Sequence, residues 1–230
     1  MGYFGGDHII LSNKLKYDLH VHSKYSIKCG ILEPEEIINL AIKKGLNGIA
    51  ITDHDTIRGG LEAKKFETDS IKVIVGCELN TTRGEIIGLF LTEEIKSREI
   101  NEAIDEIHAQ DGLVVVPHPF DKMRKSTLME NSDFLRKIDA IEGFNARCIF
   151  DSYNKEAMEF AGKKKLPVTA GSDAHYAKEL GLAGIYTSSN SKNGILSKDR
   201  EIFHKKSPIW NHAKTKMHKL LNYYNLYENH

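Results

Sequence analysis

Apolar residues along this chain fall in short continuous runs, separated by stretches with the spacing of amphipathic helices. Runs of strand length cover residues 17–21, 48–52, 72–77, 85–91, 113–116, 140–144 and 167–170. Between the first two, Glu33-Pro34-Glu35-Glu36 reads as a helix start, with proline at the first helical position and acids in the first turn. Ile37, Ile38, Ala41 and Ile42 form its apolar stripe, and Gly45 is a natural stop. Further on, Ser97 is placed to cap a helix whose Ile100, Ala103, Ile104 and Ile107 share one face, ending at Gly112. Helices are also predicted over 58–67, about 128–137 and 154–164.

Strand and helix therefore alternate six or seven times, which predicts a parallel sheet. The strand runs are continuously apolar (Val73–Val75, Val114–Val116), so both faces are covered. Nearly every run ends on a polar residue able to bind metal or phosphate. If these residues work together they must converge, and a closed barrel brings all C-terminal strand ends to one mouth, whereas an open sheet shares only its switch point. The predicted fold is an α/β, TIM-like barrel with its site at that mouth.

Composition narrows the class. The chain has 230 residues, 40% of them hydrophobic, enough for a substantial core. Lys plus Arg equals Asp plus Glu at 32 each, so no global field draws it to nucleic acid or membrane. Cys29, Cys77 and Cys148 form no CxxC pair, which argues against a disulfide framework or a thiolate zinc site and for a reducing compartment. No secretory or membrane-spanning pattern is present, and His8 lies in a glycine-rich opening of loop character. A cytoplasmic protein is expected.

The candidate chemistry sits at the strand ends. In Tyr17-Asp18-Leu19-His20-Val21-His22, alternation puts Asp18, His20 and His22 on one face. Later runs end on His54, Glu78, His118, and Asp173 with His175, so five of the eleven histidines immediately follow apolar runs. Each alone has a plain structural explanation; their coincidence does not. Imidazoles and carboxylates without thiolates suit Zn, Mn or Fe. Seven ligands exceed the roughly three a catalytic ion takes, so two or three divalent ions are implied, with Glu78 as the bridge. Asp18 and Asp53 are expected behind the ligands, with Asp53 orienting an imidazole. Cationic donors for a phosphate are Arg147, in Gly143-Phe144-Asn145-Ala146-Arg147 at a strand end, and Arg124 shortly after His118. Asn145, Arg147, Asp173 and His175 are thus expected around the reacting group, and His108 is read as structural.

These motifs, Asp18-Leu19-His20-Val21-His22-Ser23, Thr52-Asp53-His54-Asp55-Thr56, Gly76-Cys77-Glu78, Pro117-His118-Pro119 and Gly171-Ser172-Asp173-Ala174-His175, resemble the PHP (polymerase and histidinol phosphatase) superfamily. The nearer likeness is to its small stand-alone TrpH-like metal-dependent phosphoesterases, over about residues 16–187. The resemblance implies a distorted (β/α)7-type barrel whose two or three metal ions hydrolyse phosphate esters: nucleotides, small phosphate monoesters or oligonucleotide ends. It also marks two departures. Relatives place an Asp or His ligand near Ile27 and Lys28, and a His where this chain has Glu85, which can ligate in its place.

Residues 188–230 are expected as a basic extension of a single-domain chain. Eight Lys or Arg lie between 192 and 219 against two acids, with Trp210, Tyr223, Tyr224 and Tyr227 within or just after them. Such a stretch can hold single-stranded nucleic acid; the simpler expectation is a solvated helix packing its aromatics on the barrel. Two rival functions remain open: metal-dependent amide hydrolysis, and a degenerate barrel that binds metal or nucleic acid without turnover, suggested by Ile27 and Glu85.

Overall fold

The apolar runs become strands and the amphipathic stretches pack over them. The computed structural model describes residues 14–26, 29–124 and 133–217. In order these form β1 (Leu15–Val21), α1 (Pro34–Lys43), β2 (Gly48–Ile51), α2 (Arg58–Lys64), β3 (Lys72–Thr81), β4 (Gly84–Leu89), α3 (Ile100–Ala109), β5 (Leu113–Val116), a 3-10 turn (Asp133–Arg136), β6 (Ala140–Asn145), α4 (Asp151–Lys164), β7 (Val168–Gly171), β8 (Ala183–Thr187), α5 (Lys192–Leu196) and β9 (Glu201–His204). A helical segment follows over 210–217. His8, Ile27, Lys28, Leu128, Lys219, Tyr223, Tyr224 and Tyr227 lie outside the described residues.

One nine-stranded sheet, ordered β7-β6-β5-β4-β3-β2-β1-β8-β9, curls into a nearly closed barrel. Val21 bridges in parallel to Ala174 just beyond β7, and the His22 N–H donates to the Ala174 carbonyl at 2.9 Å. The TIM-like architecture is therefore as expected, with β1, β2 and β3 parallel and β5, β6 and β7 parallel. Three strands depart from the simple alternation. β4 runs antiparallel to both β3 and β5 and follows β3 through a tight turn with no helix between. β8 pairs antiparallel with β1, and β9 with β8. Hydrophobic pattern reports burial, not strand direction, so β4 looked like its neighbours. β8 was hidden by small residues: a Cβ on Gly184 would lie 1.9 Å from the Tyr17 carbonyl oxygen, so close backbone approach takes the place of an apolar side chain.

Tyr17, Leu19, Ala50, Ile74, Ile87, Leu89, Val115, Ala140, Ala170 and Ile185 form one buried cluster within the sheet. Two further clusters lie beneath the helices, one including Ile37, Ile38 and Ala41 of α1, the other Ile100, Ala103, Ile104 and Ile107 of α3. α1 ends as predicted: Gly45 adopts φ +69°, its N–H meets Ile42 O, and the Leu46 N–H meets Ala41 O, both at 3.0 Å. Ile42, however, is 41% exposed and lies outside the stripe. α3 is capped by Glu99, which accepts from the N–H groups of Asn101 and Glu102, while Ser97 Oγ accepts from Glu99 N instead. Of the helix predicted near 128–137, the described part is the single 3-10 turn.

The basic stretch beyond 187 is partly consumed within the fold. Lys192 pairs with Asp111, Arg200 donates to the carbonyls of Val168, Leu196 and Ser197, and Lys206 pairs with Asp151 at 2.6 Å. Trp210 is exposed rather than packed on the barrel. No helix among the described residues is long and apolar enough to cross a membrane.

Ile104 is fully buried, so Ile104→Ala should cost about 2–5 kcal/mol of stability, while Ile42→Ala should cost about 0.5 kcal/mol or less. Urea denaturation of the two variants measures the contrast, and equal losses would contradict this placement of the two helix faces.

Candidate metal centre

At the barrel mouth the seven expected ligands meet. His22 Nε2 lies 3.1 Å from His20 Nε2, 3.3 Å from Glu78 Oε2 and 3.3 Å from Asp173 Oδ1. His20 Nε2 is 3.4 Å and 3.7 Å from the same two oxygens. His54 Nδ1 lies 3.2 Å from Glu78 Oε2, and His118 Nε2 lies 2.9 Å from Glu78 Oε1. The His175 ring is 4.4 Å from that of His22. Glu85 Oε2 comes within 3.9 Å of His118 Nε2, so the structure brings this eighth candidate to the edge of the cluster. The donor atoms of His20-His22-Glu78, His22-His54-His175, His20-His118-Asp173 and His54-Glu78-Glu85 each gather within 4.8 Å of one another.

Three imidazoles are held with Nε2 facing this cluster. His20 Nδ1 meets Glu142 Oε1 at 2.9 Å, and His175 Nδ1 meets the Asp173 carbonyl at 2.8 Å. His22 Nδ1 lies 3.0 Å from Ser26 Oγ, whose own proton goes to Asp53 Oδ1 at 2.9 Å. Since that hydroxyl has already spent its proton, His22 must donate through Nδ1, leaving Nε2 with a lone pair. A carboxylate has no proton to give either, so Glu142 imposes the same tautomer on His20.

The donor set fits divalent cations. Glu78 Oε2 and Asp173 Oδ1 are fully buried and make no hydrogen bond among the described residues, an arrangement that is costly unless something positive lies between them. Burial pushes the Glu78 carboxyl up, but the imidazoles, His20 first, hold it well below the usual range. Asp173 is likewise held low against burial, chiefly by Arg124 and His20. The carboxylates in turn raise the His20 imidazole well above its ordinary value despite its burial, with Glu142 the strongest. The centre collects positive charge, and metal ions would supply it in place of protons. His175 behaves oppositely: burial, with His22 and Arg147 nearby, keeps it neutral, as a ligand must be.

The backbone is bent to serve the site. His118 and Asp173 adopt positive φ, 28° and 53°, uncommon for non-glycine residues and tolerated where the surroundings enforce them. Asp18 proves to be a backbone anchor. The β1 register shifts between Asp18 and Val21, so strict alternation fails there. Its carboxylate accepts from Ser172 N at 2.9 Å, Ser172 Oγ at 2.5 Å and Gly181 N at 2.8 Å, fixing the turn that carries Asp173. Burial nevertheless raises its pKa to about 6. Asp53 binds Ser23 N and Oγ, each at 2.6 Å, and reaches His22 through Ser26.

The expected phosphate donors divide. Arg124 reaches the cluster, with an Nη 2.6 Å from Asp173 Oδ2 and its Nε on Asp121. Arg147 does not: it is buried, and both its Nη groups are engaged, on Glu179 and on Thr215. Asn145 is also turned inward, donating to Glu142 at 2.9 Å and Asp173 at 3.3 Å. His108 pairs with Asp139 at 3.0 Å, away from the mouth. Sequence reasoning missed Glu142, Ser26 and Glu179. Glu142 left a signal, an acid inside the apolar run of β6; the other two left none.

The PHP domain family matches residues 18–179. This chain belongs to that family. Two uncharacterized proteins of Methanocaldococcus jannaschii are similar to it. MJ1587 is 43% identical over 143 residues, covering 57% of this chain and 82% of the relative. MJ0417 is 38% identical over 177 residues, covering 74% and 70%. Among solved structures, a two-domain Bacteroides vulgatus protein described as containing a predicted PHP-like metal-dependent phosphoesterase superposes with a TM-score of 0.71 at 19% identity. The match covers 84% of this chain and 65% of that one, and shows the shared fold. The matched span, residues 18–179, contains all seven candidate ligands.

Because Glu142 orients both His20 and the His118 backbone, Glu142→Gln should weaken metal binding about 10–100-fold with the fold retained. His22→Ala should do at least as much. Calorimetric titration of the metal-stripped protein reads both, and unchanged affinity in either variant would contradict the assignment. Saturation at about 100 times Kd should add about 2.7 kcal/mol to the stability of the fold.

Proposed function

We propose that this PHP domain hydrolyses phosphate esters, with two or three divalent ions (Zn, Mn or Fe) held by His20, His22, His54, Glu78, His118, Asp173 and His175. The observation that carries the reading is the pair of buried, hydrogen-bond-free oxygens on Glu78 and Asp173 set among imidazole nitrogens, with the Arg124 guanidinium on the far side of Asp173. Bound ions would lower the pKa of water and stabilise charge on a phosphoryl oxygen. The chain's own groups do the rest. Glu142, Ser26 and Asp53 fix the imidazole tautomers. Asp18 holds the Asp173 turn, and Arg124 offers a planar cation suited to a phosphate.

The remainder of the substrate has a place beside the ions. His54 is the most open of the candidate-ligand imidazoles, its side chain 25% exposed. Next to it, the loops after β1 and β2 frame a cleft of about 310 Å³ lined by Lys24, Tyr25, Thr56 and Arg58. The Arg58 guanidinium lies 5.3 Å from the Tyr25 ring centre and pairs with no carboxylate among the described residues. Arg58 lies over the Tyr25 ring, as does Lys24 with its Nζ 5.6 Å from the ring centre, so a nucleobase would stack there by displacing a cation that then meets its phosphate; nucleotides or oligonucleotide ends are the favoured class.

The deciding experiment strips the protein of metal, reloads it with Mn²⁺ or Zn²⁺, and screens phosphate release from nucleotides, sugar phosphates and short oligonucleotides beside an amide panel. Turnover of phosphate esters alone is the expected result; amide turnover alone, or binding without turnover, would replace the proposal by one of its rivals. Arg124→Ala should lower kcat by about 10²–10³-fold. Tyr25→Ala and Arg58→Ala should raise KM for nucleotides about tenfold more than for a ring-free phosphate monoester, since a stacked base contributes about 1–3 kcal/mol.

A further inference from the structure

Arg147 lies at a strand end of the mouth yet faces away from any substrate, and the destination of its charge is informative. Glu179 is fully buried and accepts from Arg147 Nη1 with both oxygens at 2.9 Å. The same carboxylate accepts from the backbone N–H of the ligand His175 at 3.0 Å and from Ser207 Oγ at 2.6 Å. The other guanidinium arm donates to Thr215 Oγ1 at 2.9 Å. Ser207 N meets the Ala146 carbonyl at 2.8 Å, Asn211 Nδ2 meets Ser207 Oγ at 3.0 Å, and Thr215 Oγ1 meets the Asn211 carbonyl at 3.0 Å. Arg147 N also donates to Asn145 Oδ1 at 2.8 Å, and Asn145 in turn holds Asp173 Oδ2.

A buried carboxylate accepting four hydrogen bonds from three donors and a buried guanidinium with three acceptor contacts make one closed network. One end is the backbone of the turn bearing Asp173 and His175, and the other is residues 207–215, beyond the family match at 18–179. A surface extension has no reason to bury Ser207, Asn211 and Thr215 against a metal-ligand turn. The turn, by contrast, needs holding, because Asp173 sits at φ 53°. His212 is half-buried, and burial, then Arg147 and Arg124, hold its imidazole down at about 4.

We propose that residues 205–217 are part of the metal centre, with Glu179, Arg147 and Thr215 as positioning residues that hold the Asp173–His175 turn in its ligating geometry. The inference rests on the metal reading of the site, not on which ester is cleaved. Losing a partner that orients a ligand typically weakens metal binding about 10–100-fold.

The test titrates the metal-stripped full chain with Mn²⁺ alone, and separately with Zn²⁺ alone, by calorimetry. Arg147→Met should weaken one class of ions about 10–100-fold, and Arg147→Lys, which keeps a charged donor for Glu179, should restore most of it. Thr215→Val cuts only the link to the helical segment and should give an intermediate loss. Wild-type affinity and stoichiometry in folded Arg147→Met and Thr215→Val would overturn the proposal. Should Arg147→Met fail to fold by circular dichroism, Thr215→Val and Ser207→Ala decide on the same readout. Phosphate release is not measured, so failure of the phosphoesterase reading leaves the test intact. A wild-type chain that takes up neither ion would overturn this proposal together with the metal reading.

Discussion

Two carboxylates buried in the mouth of a barrel, each with an oxygen that no donor satisfies, set the terms for the rest of this structure. Burying Glu78 and Asp173 is expensive unless cations are near. The chain answers with imidazoles on one side and Arg124 on the other. The site is poised between protons and metal ions, both of which neutralise the same charge. A fold designed only for stability would place apolar residues there; this one keeps a charged interior that ions can complete.

Holding that geometry needs acids behind the ligands as well as in front. Glu142 serves His20 and the His118 backbone, Asp53 serves His22 through Ser26, Asp18 fixes the turn at Ser172, and Glu179 holds His175 N. Each is buried and each is satisfied by named donors. Such support explains how His118 and Asp173 can keep left-handed backbone angles at the ends of short strands. The formal neutrality of the chain hides this concentration of negative charge at one end of the barrel.

Much of the candidate site was legible because its candidate ligands lie immediately beyond apolar runs. Period-two alternation and strand-end placement found His20, His22, His54, Glu78, His118, Asp173 and His175, and the resemblance to PHP relatives brought in Glu85. The same logic misplaced Arg147 and Asn145. A strand end points a residue toward the mouth, but what it touches there depends on partners such as Glu179 and Thr215, 32 and 68 residues away. Asp18 lies behind the candidate ligands, anchoring the Asp173 turn through Ser172 and Gly181, while the register shift in β1 interrupts the alternation that would have set it beside His20 and His22.

By itself, the sequence determined which residue types could bind metal, which runs were buried strands, and that the ligands had to converge. Those properties follow from local periodicity and side-chain chemistry. Tertiary structure alone decided the direction of β4, β8 and β9, the choice of Glu142 and Ser26 to set imidazole tautomers, and the capture of Arg147 by Glu179 and the 205–217 segment. Strand pairing and long-range hydrogen bonds depend on which distant groups become neighbours, and no periodicity along the chain carries that information.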